Sequence, residues 1–272
     1  MAPSSEPLLG ENLLLKALRA EDRALVAPHL ERVSYERGET VFSAGNEVGF
    51  IVFPCETTVT GLIVSMLDGR SAETATIGRE GALGGAVSTG GLPASTHGVI
   101  QIGGPALRME SARLQEARRR SESLNNLFTR YSDCLLAQVL QSVACNALHP
   151  IEERCLRWIL TLQDRLGSDV LPVTQDFLAS MIGVQRTYLT RILRTLQQQG
   201  LVELGRGRLR IIDRAETEAA ACECHDCVKR HYDAVMGAVY DSSGRMIAIE
   251  PSAKPRRPRA SVTLRGEEQT GT

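Results

Sequence analysis

The stretch Thr174-Gln175-Asp176-Phe177-Leu178-Ala179-Ser180-Met181-Ile182-Gly183-Val184-Gln185-Arg186-Thr187-Tyr188-Leu189-Thr190-Arg191-Ile192-Leu193 decides how this chain is read. Thr174 stands where a helix needs an N-cap, its hydroxyl able to accept from the free N–H groups of the first turn. Leu178 and Ala179 make an apolar inner face, and Ala179 is small where a second helix has to cross. Gly183 falls where the chain must leave the first helix through left-handed backbone. The second helix then buries Leu189, Ile192, Leu193 and Leu196 and turns Gln185, Arg186, Thr187, Thr190, Arg191 and Arg194 outward. No acid lies between Gln185 and Gln199. A donor-rich face without acids suits the major groove of double-stranded DNA, where an arginine fork can bond O6 and N7 of guanine together. Arg186 and Arg191 are the expected base readers, with Gln185 and Thr187 touching bases or phosphates and Thr174, Thr190 and Arg194 completing the face.

Downstream, Gly205-Arg206-Gly207-Arg208 sits between two short apolar runs (202–204 and 209–212) and reads as a β-hairpin wing. Its tip arginines, Arg206 and Arg208, suit backbone phosphates. The basic character is local. Residues 174–214 hold seven arginines against three acids, a net of +4, in a chain whose overall charge is −1. A polyanion contact confined to one segment follows. A protein coating DNA nonspecifically would be basic throughout. An enzyme would need a nucleophile–base pair, a phosphate-binding glycine loop or a catalytic metal triad; the sequence displays none of these, so no enzymatic activity is expected.

With 272 residues, 43% apolar and 23% charged, the chain has ordinary globular composition and length for more than one core. It contains no apolar run of membrane-spanning length and no basic-then-apolar leader over residues 1–10, so a cytoplasmic protein without membrane contact is expected. The seven unevenly spaced cysteines read as thiols or metal ligands, not as a disulfide framework.

Upstream of the helix-turn-helix the texture is α+β. A short helical pattern runs from Leu13 to about Leu30. Between Val33 and Met109, short β-branched segments (40–42, 50–53, 59–66, 72–77, 98–102) alternate with turns such as Asp68-Gly69 and Gly90-Gly91. This predicts an antiparallel β-roll or sandwich. Glycine is then absent until Gly167. Leu124, Phe128, Tyr131, Leu135 and Gln138 recur at alternating spacings of four and three, which predicts one long helix whose seam pairs with a second copy. A second apolar set, Leu127, Val139, Leu140 and Val143, is assigned to the β domain. Pro150 ends this helix, and 151–166 forms another carrying Trp158. The expected domains are a β-roll over 12–115, a dimerisation helix over 116–149, a winged helix-turn-helix over 150–236 and a disordered tail over 237–272. Residues 1–10 are also expected to be disordered. The tail's Lys254, Arg256, Arg257 and Arg259 could add nonspecific phosphate attraction.

This order of elements resembles the Crp/Fnr family of bacterial transcription regulators over roughly residues 12–236. The resemblance is carried by residues 35–45 (Tyr35-Glu36-Arg37-Gly38 through Gly45), Asp68-Gly69-Arg70-Ser71, Gly78-Arg79-Glu80-Gly81 and, most specifically, the helix-turn-helix. It implies a cyclic-nucleotide-binding-like β-roll, a homodimer reading palindromic DNA, and RNA polymerase as a partner. It also implies base reading by Arg186 and Arg191, although Thr187 stands where the family pattern has an acid. Members that bind cyclic AMP hold its phosphate with an arginine and its ribose with a Gly-Glu pair. Here Gly85 occupies the glutamate's place and no arginine lies between Arg79 and Arg108, so cyclic AMP is not expected to bind. The iron–sulfur site of the family's oxygen sensors uses cysteines near the N-terminus. The first cysteine here is Cys55, so that site is not expected either. No cofactor is expected, and the signal sensed is not specified.

One cluster stands apart: Cys222-Glu223-Cys224-His225-Asp226-Cys227, with His231 beyond. Such density of soft ligands suits zinc or a cluster. On a helix, however, Cys224, Val228 and Val235 share an apolar stripe with Ala221, and a C-x-C pair points in different directions. Buried structural thiols are therefore expected. Cys222, Cys224, Cys227 and His231 are the ligand candidates of an alternative reading, a metal- or redox-sensing regulator. A ligand-binding protein without DNA contact is the remaining alternative. His97 and His149 read as loop or cap residues.

Overall fold

Short β-branched segments and tight turns upstream of residue 110 produce two antiparallel sheets in the computed structural model, which describes residues 9–84 and 93–251. Strands β1 (Glu31–Tyr35), β3 (Phe50–Pro54) and β7 (Gly104–Glu110) form one sheet, in the order β1-β7-β3. Strands β2 (Thr40–Phe42), β4 (Val59–Ser65), β5 (Ser71–Ile77) and β6 (His97–Ile102) form the other, in the order β2-β6-β4-β5. The β4–β5 hairpin turns at Asp68-Gly69, where Gly69 has φ +83° and the Met66 N–H bonds the Arg70 carbonyl at 2.7 Å. The Gly90-Gly91 turn lies outside the described residues. Ile51, Phe53, Leu62, Ile77, Leu83 and Leu107 fill the core of the roll. The helical pattern after Leu13 splits into α1 (Leu13–Lys16) and α2 (Ala20–Val26). Asn12 caps α1 through the Leu15 N–H, and its buried amide donates to the carbonyls of Pro54 and Gly81, both at 2.9 Å.

The single long helix read from the sequence is two helices, α3 (Ser111–Arg120) and α4 (Glu122–Leu148). They break at Ser121, which is extended (φ −135°, ψ 116°) and caps α4 by accepting from the Leu124 N–H at 3.2 Å. The expected dimer seam is also corrected. Leu124, Phe128, Tyr131, Leu135 and Gln138 are each at most 4% exposed and lie against the roll of their own chain. Phe128 meets Phe53 edge to face at 6.4 Å. The Tyr131 hydroxyl donates to the Ala82 carbonyl (3.1 Å) and the Gln138 amide to that of Thr76 (3.2 Å). This stripe carries both aromatic rings of the helix, so it has the larger apolar area to remove from water, and the roll removes it. The outward stripe is Asn126, Thr129, Asp133, Leu136, Leu140 and Val143, at the same alternating spacing. Of the set assigned to the roll, Leu127 faces inward as expected, whereas Leu140 and Val143 are 60% and 63% exposed.

After α5 (Ile151–Leu166), which begins behind Pro150 and ends at left-handed Gly167, the chain forms a second unit. It comprises β8 (Val170–Leu171), α6 (Gln175–Ile182), α7 (Arg186–Gln198), β9 (Val202–Gly205) and β10 (Arg208–Ile211), with sheet order β8-β10-β9. Its core, with Trp158, Ile159, Leu178 and Leu189, is continuous with Val59, Ile63 and Ile102 of the four-stranded sheet. Helix α8 (Arg214–Ala220) leads to α9 (Cys224–Met236), which packs along α4.

The expected disordered tail does not begin at residue 237. Strands β11 (Ala238–Tyr240) and β12 (Met246–Ile249) pair antiparallel around Asp241 and Gly244, and Met246 and Ile249 are buried in the core of the roll. Two short unbroken apolar runs, 238–240 and 246–249, on either side of a turn outweigh the polar composition around them. Residues 1–8 and 252–272, with the basic residues of the tail, lie outside the described residues. Leu9, within the stretch expected to be disordered, is buried. No described helix is long and apolar enough to cross a membrane.

Candidate nucleic-acid interface

Two helices and a hairpin bring the predicted contact residues to one exposed side. Thr174 caps α6, its hydroxyl accepting from the Phe177 N–H at 3.2 Å. Gly183 ends α6 at φ +77°, ψ 36°, and the Val184 N–H reaches back to the Ala179 carbonyl at 3.0 Å, closing the turn between the helices. Leu189, Ile192, Leu193 and Leu196 anchor α7, each at most 3% exposed. That leaves Gln185, Arg186, Thr187, Arg191 and Arg194 exposed, as read from the sequence. Thr190 is half-buried and donates to the Gln175 side-chain oxygen at 2.9 Å, so it braces the two helices. Tyr188, 44% exposed on the same face, went unnoticed in the sequence. Its place three residues before Arg191 on the helix was the available signal, since that spacing sets both on one side.

The wing is a two-residue hairpin. Arg208 pairs with Gly205, and Gly207 (φ +70°) makes the turn that Arg206 and Arg208 flank, both exposed. A cleft runs between the wing and the start of α6, bordered by Thr174, Gln175, Arg186, Gly205 and Arg208. Arg186 is paired with Asp176 at 3.2 Å, but both side chains are about two-thirds exposed (66% and 63%). Such a pair is worth under about 1 kcal/mol, so it holds Arg186 beside the cleft without preventing its exchange for another anion.

The unit is docked on the roll. Glu73 of β5 accepts from the Trp158 indole N–H at 2.9 Å, and Glu80 pairs with Arg165 at 3.1 Å, both side chains nearly buried (7% and 11% exposed). Arg37 lies over the Phe177 ring at 4.4 Å. Behind α5, Asp164 receives Arg214 and His225, both at 2.7 Å, and Lys229 at 3.6 Å. Burial opposes the charge on Asp164, but the His225 hydrogen bond and the attraction of His225, Lys229 and Arg214 outweigh it and hold its carboxyl below the ordinary value.

The cysteines divide differently from expectation. Cys222 and Cys224 come together with Cys145 and His149, neither of which is among the ligands expected from the sequence. Cys227 instead accepts from Arg230 at 3.4 Å, and His231 pairs with Asp133 at 2.8 Å. Cys145 and His149, four residues apart at a helix end, were the overlooked signal. The hydrogen bond with Cys222 pulls the Cys145 thiol below its ordinary value, and Cys145 in turn raises His149.

Comparison with known proteins places residues 153–219 in a Crp-like helix-turn-helix domain. The chain is similar in structure to FixK2 from Bradyrhizobium japonicum (14% identity, TM-score 0.62, 71% of this chain and 98% of that one). It is also similar to TTHB099, a transcriptional regulator of the CRP family from Thermus thermophilus (18%, 0.59, 70% and 96%). A third likeness is to CLP, the c-di-GMP responsive global regulator of Xanthomonas campestris (18%, 0.58, 72% and 100%). At these identities the likeness is one of fold. No curated protein matches the sequence.

Proposed function

The chain carries a Crp-like helix-turn-helix domain within the fold of the Crp/Fnr regulators, and from that premise we propose that it regulates transcription by binding a specific palindromic DNA site as a homodimer. The observation that carries this is the acid-free outer face of α7. Arg186, Arg191 and Arg194 stand exposed there, and Arg186 borders the same cleft as the wing arginine Arg208, next to the exposed Arg206. Arginines on the helix read bases, whereas those on the wing bind phosphates and set the register.

The face of α4 that meets the second copy is the outward stripe around Leu136, Leu140 and Val143, whose large apolar side chains are 55–63% exposed. Spacing of four and three along a helix is what a paired seam uses. Cyclic AMP is not the effector in this reading. Arg79, the last arginine before the loop that would hold its phosphate, is committed to the Met246 carbonyl at 2.8 Å. Part of that loop, including Gly85, lies outside the described residues. RNA polymerase remains the partner that family resemblance implies.

The test is selection of bound sequences from random duplex DNA, followed by footprinting. The expected result is an enriched inverted repeat with half-sites about 34 Å apart, one helical turn. Equal retention of all sequences would overturn the reading.

A further inference from the structure

Four side chains that DNA binding does not use meet between α4 and α9. Cys145 and His149 lie one helical turn apart at the end of α4, and the His149 N–H still bonds the Cys145 carbonyl at 3.1 Å. Cys222 and Cys224 lead into α9. The three sulfurs and the imidazole nitrogen all lie within 4.8 Å of one another. The C-x-C objection raised by the sequence fails here, because Cys222 precedes the helix and is free to turn beside Cys224. We propose that Cys145, His149, Cys222 and Cys224 form a tetrahedral Cys3His site for a single zinc-like divalent ion.

Distances select this occupant. A metal–sulfur bond of about 2.3 Å in a tetrahedron separates its donors by about 3.8 Å. Cys145 Sγ lies 3.5 Å from Cys222 Sγ, and Cys224 Sγ lies 3.4 Å from His149 Nδ1. A four-iron cluster places a cube of metal and sulfide between its ligands and needs a wider cage. The surroundings are those of a metal site as well. His149 turns Nδ1 to the sulfurs and Nε2 to the Glu223 carboxylate at 3.4 Å, the carboxylate–histidine arrangement that orients a metal-bound imidazole. The Gln141 amide donates to Cys224 Sγ at 3.1 Å. Three thiolates around a dication leave one negative charge, which the cationic Arg154 and Arg157 of α5 attract. Each of these arginines has a buried Nε without an acceptor in the protein. All three cysteines are at most 5% exposed and form a cluster apart from both apolar cores, where packing alone asks for no sulfur.

The ion would join the last turn of α4, just beyond the outward stripe, to the start of α9, which packs on both α4 and α5. It thus fastens the helix that carries the dimer face to the unit that carries the DNA face.

The experiment uses the full chain, purified without an affinity tag under reducing conditions. Elemental analysis is expected to find one zinc per chain. Exchange with cobalt(II) is expected to give the visible bands of a tetrahedral thiolate complex, and this reading needs no variant to fold. Cys145→Ser and Cys224→Ser should lose stoichiometric metal, whereas Cys227→Ser and His231→Ala should keep it. Glu223→Gln should weaken zinc about tenfold in a chelator competition. Any of four results overturns the site: well under one metal per chain with an octahedral cobalt spectrum; iron accompanied by inorganic sulfide; a Cys145–Cys222 disulfide in the isolated protein; or full metal content in Cys145→Ser.

Discussion

Truncating Leu140 and Leu135 separates the two faces of α4. Leu140 is 60% exposed and Leu135 only 4%. Fully burying a leucine side chain is worth about 1.5–3 kcal/mol. At its exposure, Leu140 keeps about 1–2 kcal/mol for a partner to capture. A two-fold interface uses the residue twice, so Leu140→Ala should cost the dimer about 2–4 kcal/mol, a rise in the dimer dissociation constant of roughly 30- to 1000-fold. The same change should move monomer stability by less than about 0.5 kcal/mol. Leu135→Ala should do the reverse, lowering the stability of the chain by about 2–5 kcal/mol through a cavity between α4 and the roll. Sedimentation equilibrium over a concentration series measures the first quantity, and urea denaturation of dilute monomer the second. If Leu140→Ala leaves association unchanged, or if Leu135→Ala dissociates the dimer without softening the monomer, the outward stripe is not the dimer face.

Three further substitutions test the DNA face and the buried charge behind it. Arg191→Ala should cost about 1–3 kcal/mol on the selected site and little on random DNA, whereas Arg208→Ala should weaken both and reduce the slope of log K against log salt by about one; equal losses on both DNAs for Arg191→Ala would remove it from base reading. Asp164→Asn leaves Arg214, His225 and Lys229 without their shared carboxylate and should destabilise the chain by about 3–5 kcal/mol at neutral pH. Because the folded carboxyl titrates below its ordinary value, the stabilisation is present above the unfolded value near 4 and is lost as pH falls through the folded one. Urea midpoints of wild type and variant should therefore converge in acid, and a gap that persists undiminished to about pH 2 would contradict the assignment.

What was legible in the sequence follows from how local each signal is. Thr174, Gly183 and the acid-free run after Gln185 act within a few residues, so the cap, the turn and the exposed face of α7 could all be read in advance. The two sides of α4 could not be told apart by period, because both repeat at four and three. Their allocation depends on a roll built from residues up to about a hundred positions upstream, which takes the aromatic stripe. The strand pair near the C-terminus was masked by composition, although residues 238–240 and 246–249 form two short apolar runs flanking the turn at Asp241 to Gly244. Cys145 and Cys222 are 77 positions apart, and only the return of α9 along α4 brings them to the same place.

The docking of Trp158 has a spectroscopic consequence. It is the single tryptophan of the chain. It is 3% exposed, donates its indole N–H to Glu73 of the roll and packs edge to face on Phe177 of α6 at 6.1 Å. One indole therefore spans the joint between the roll and the DNA-binding unit, with a carboxylate from one side and an aromatic ring from the other. Its emission maximum and accessibility to a quencher report that joint without any label. A signal molecule that pries the two units apart would expose this ring to water and shift its emission to longer wavelength. One that acts within the fixed joint would leave the emission where it is.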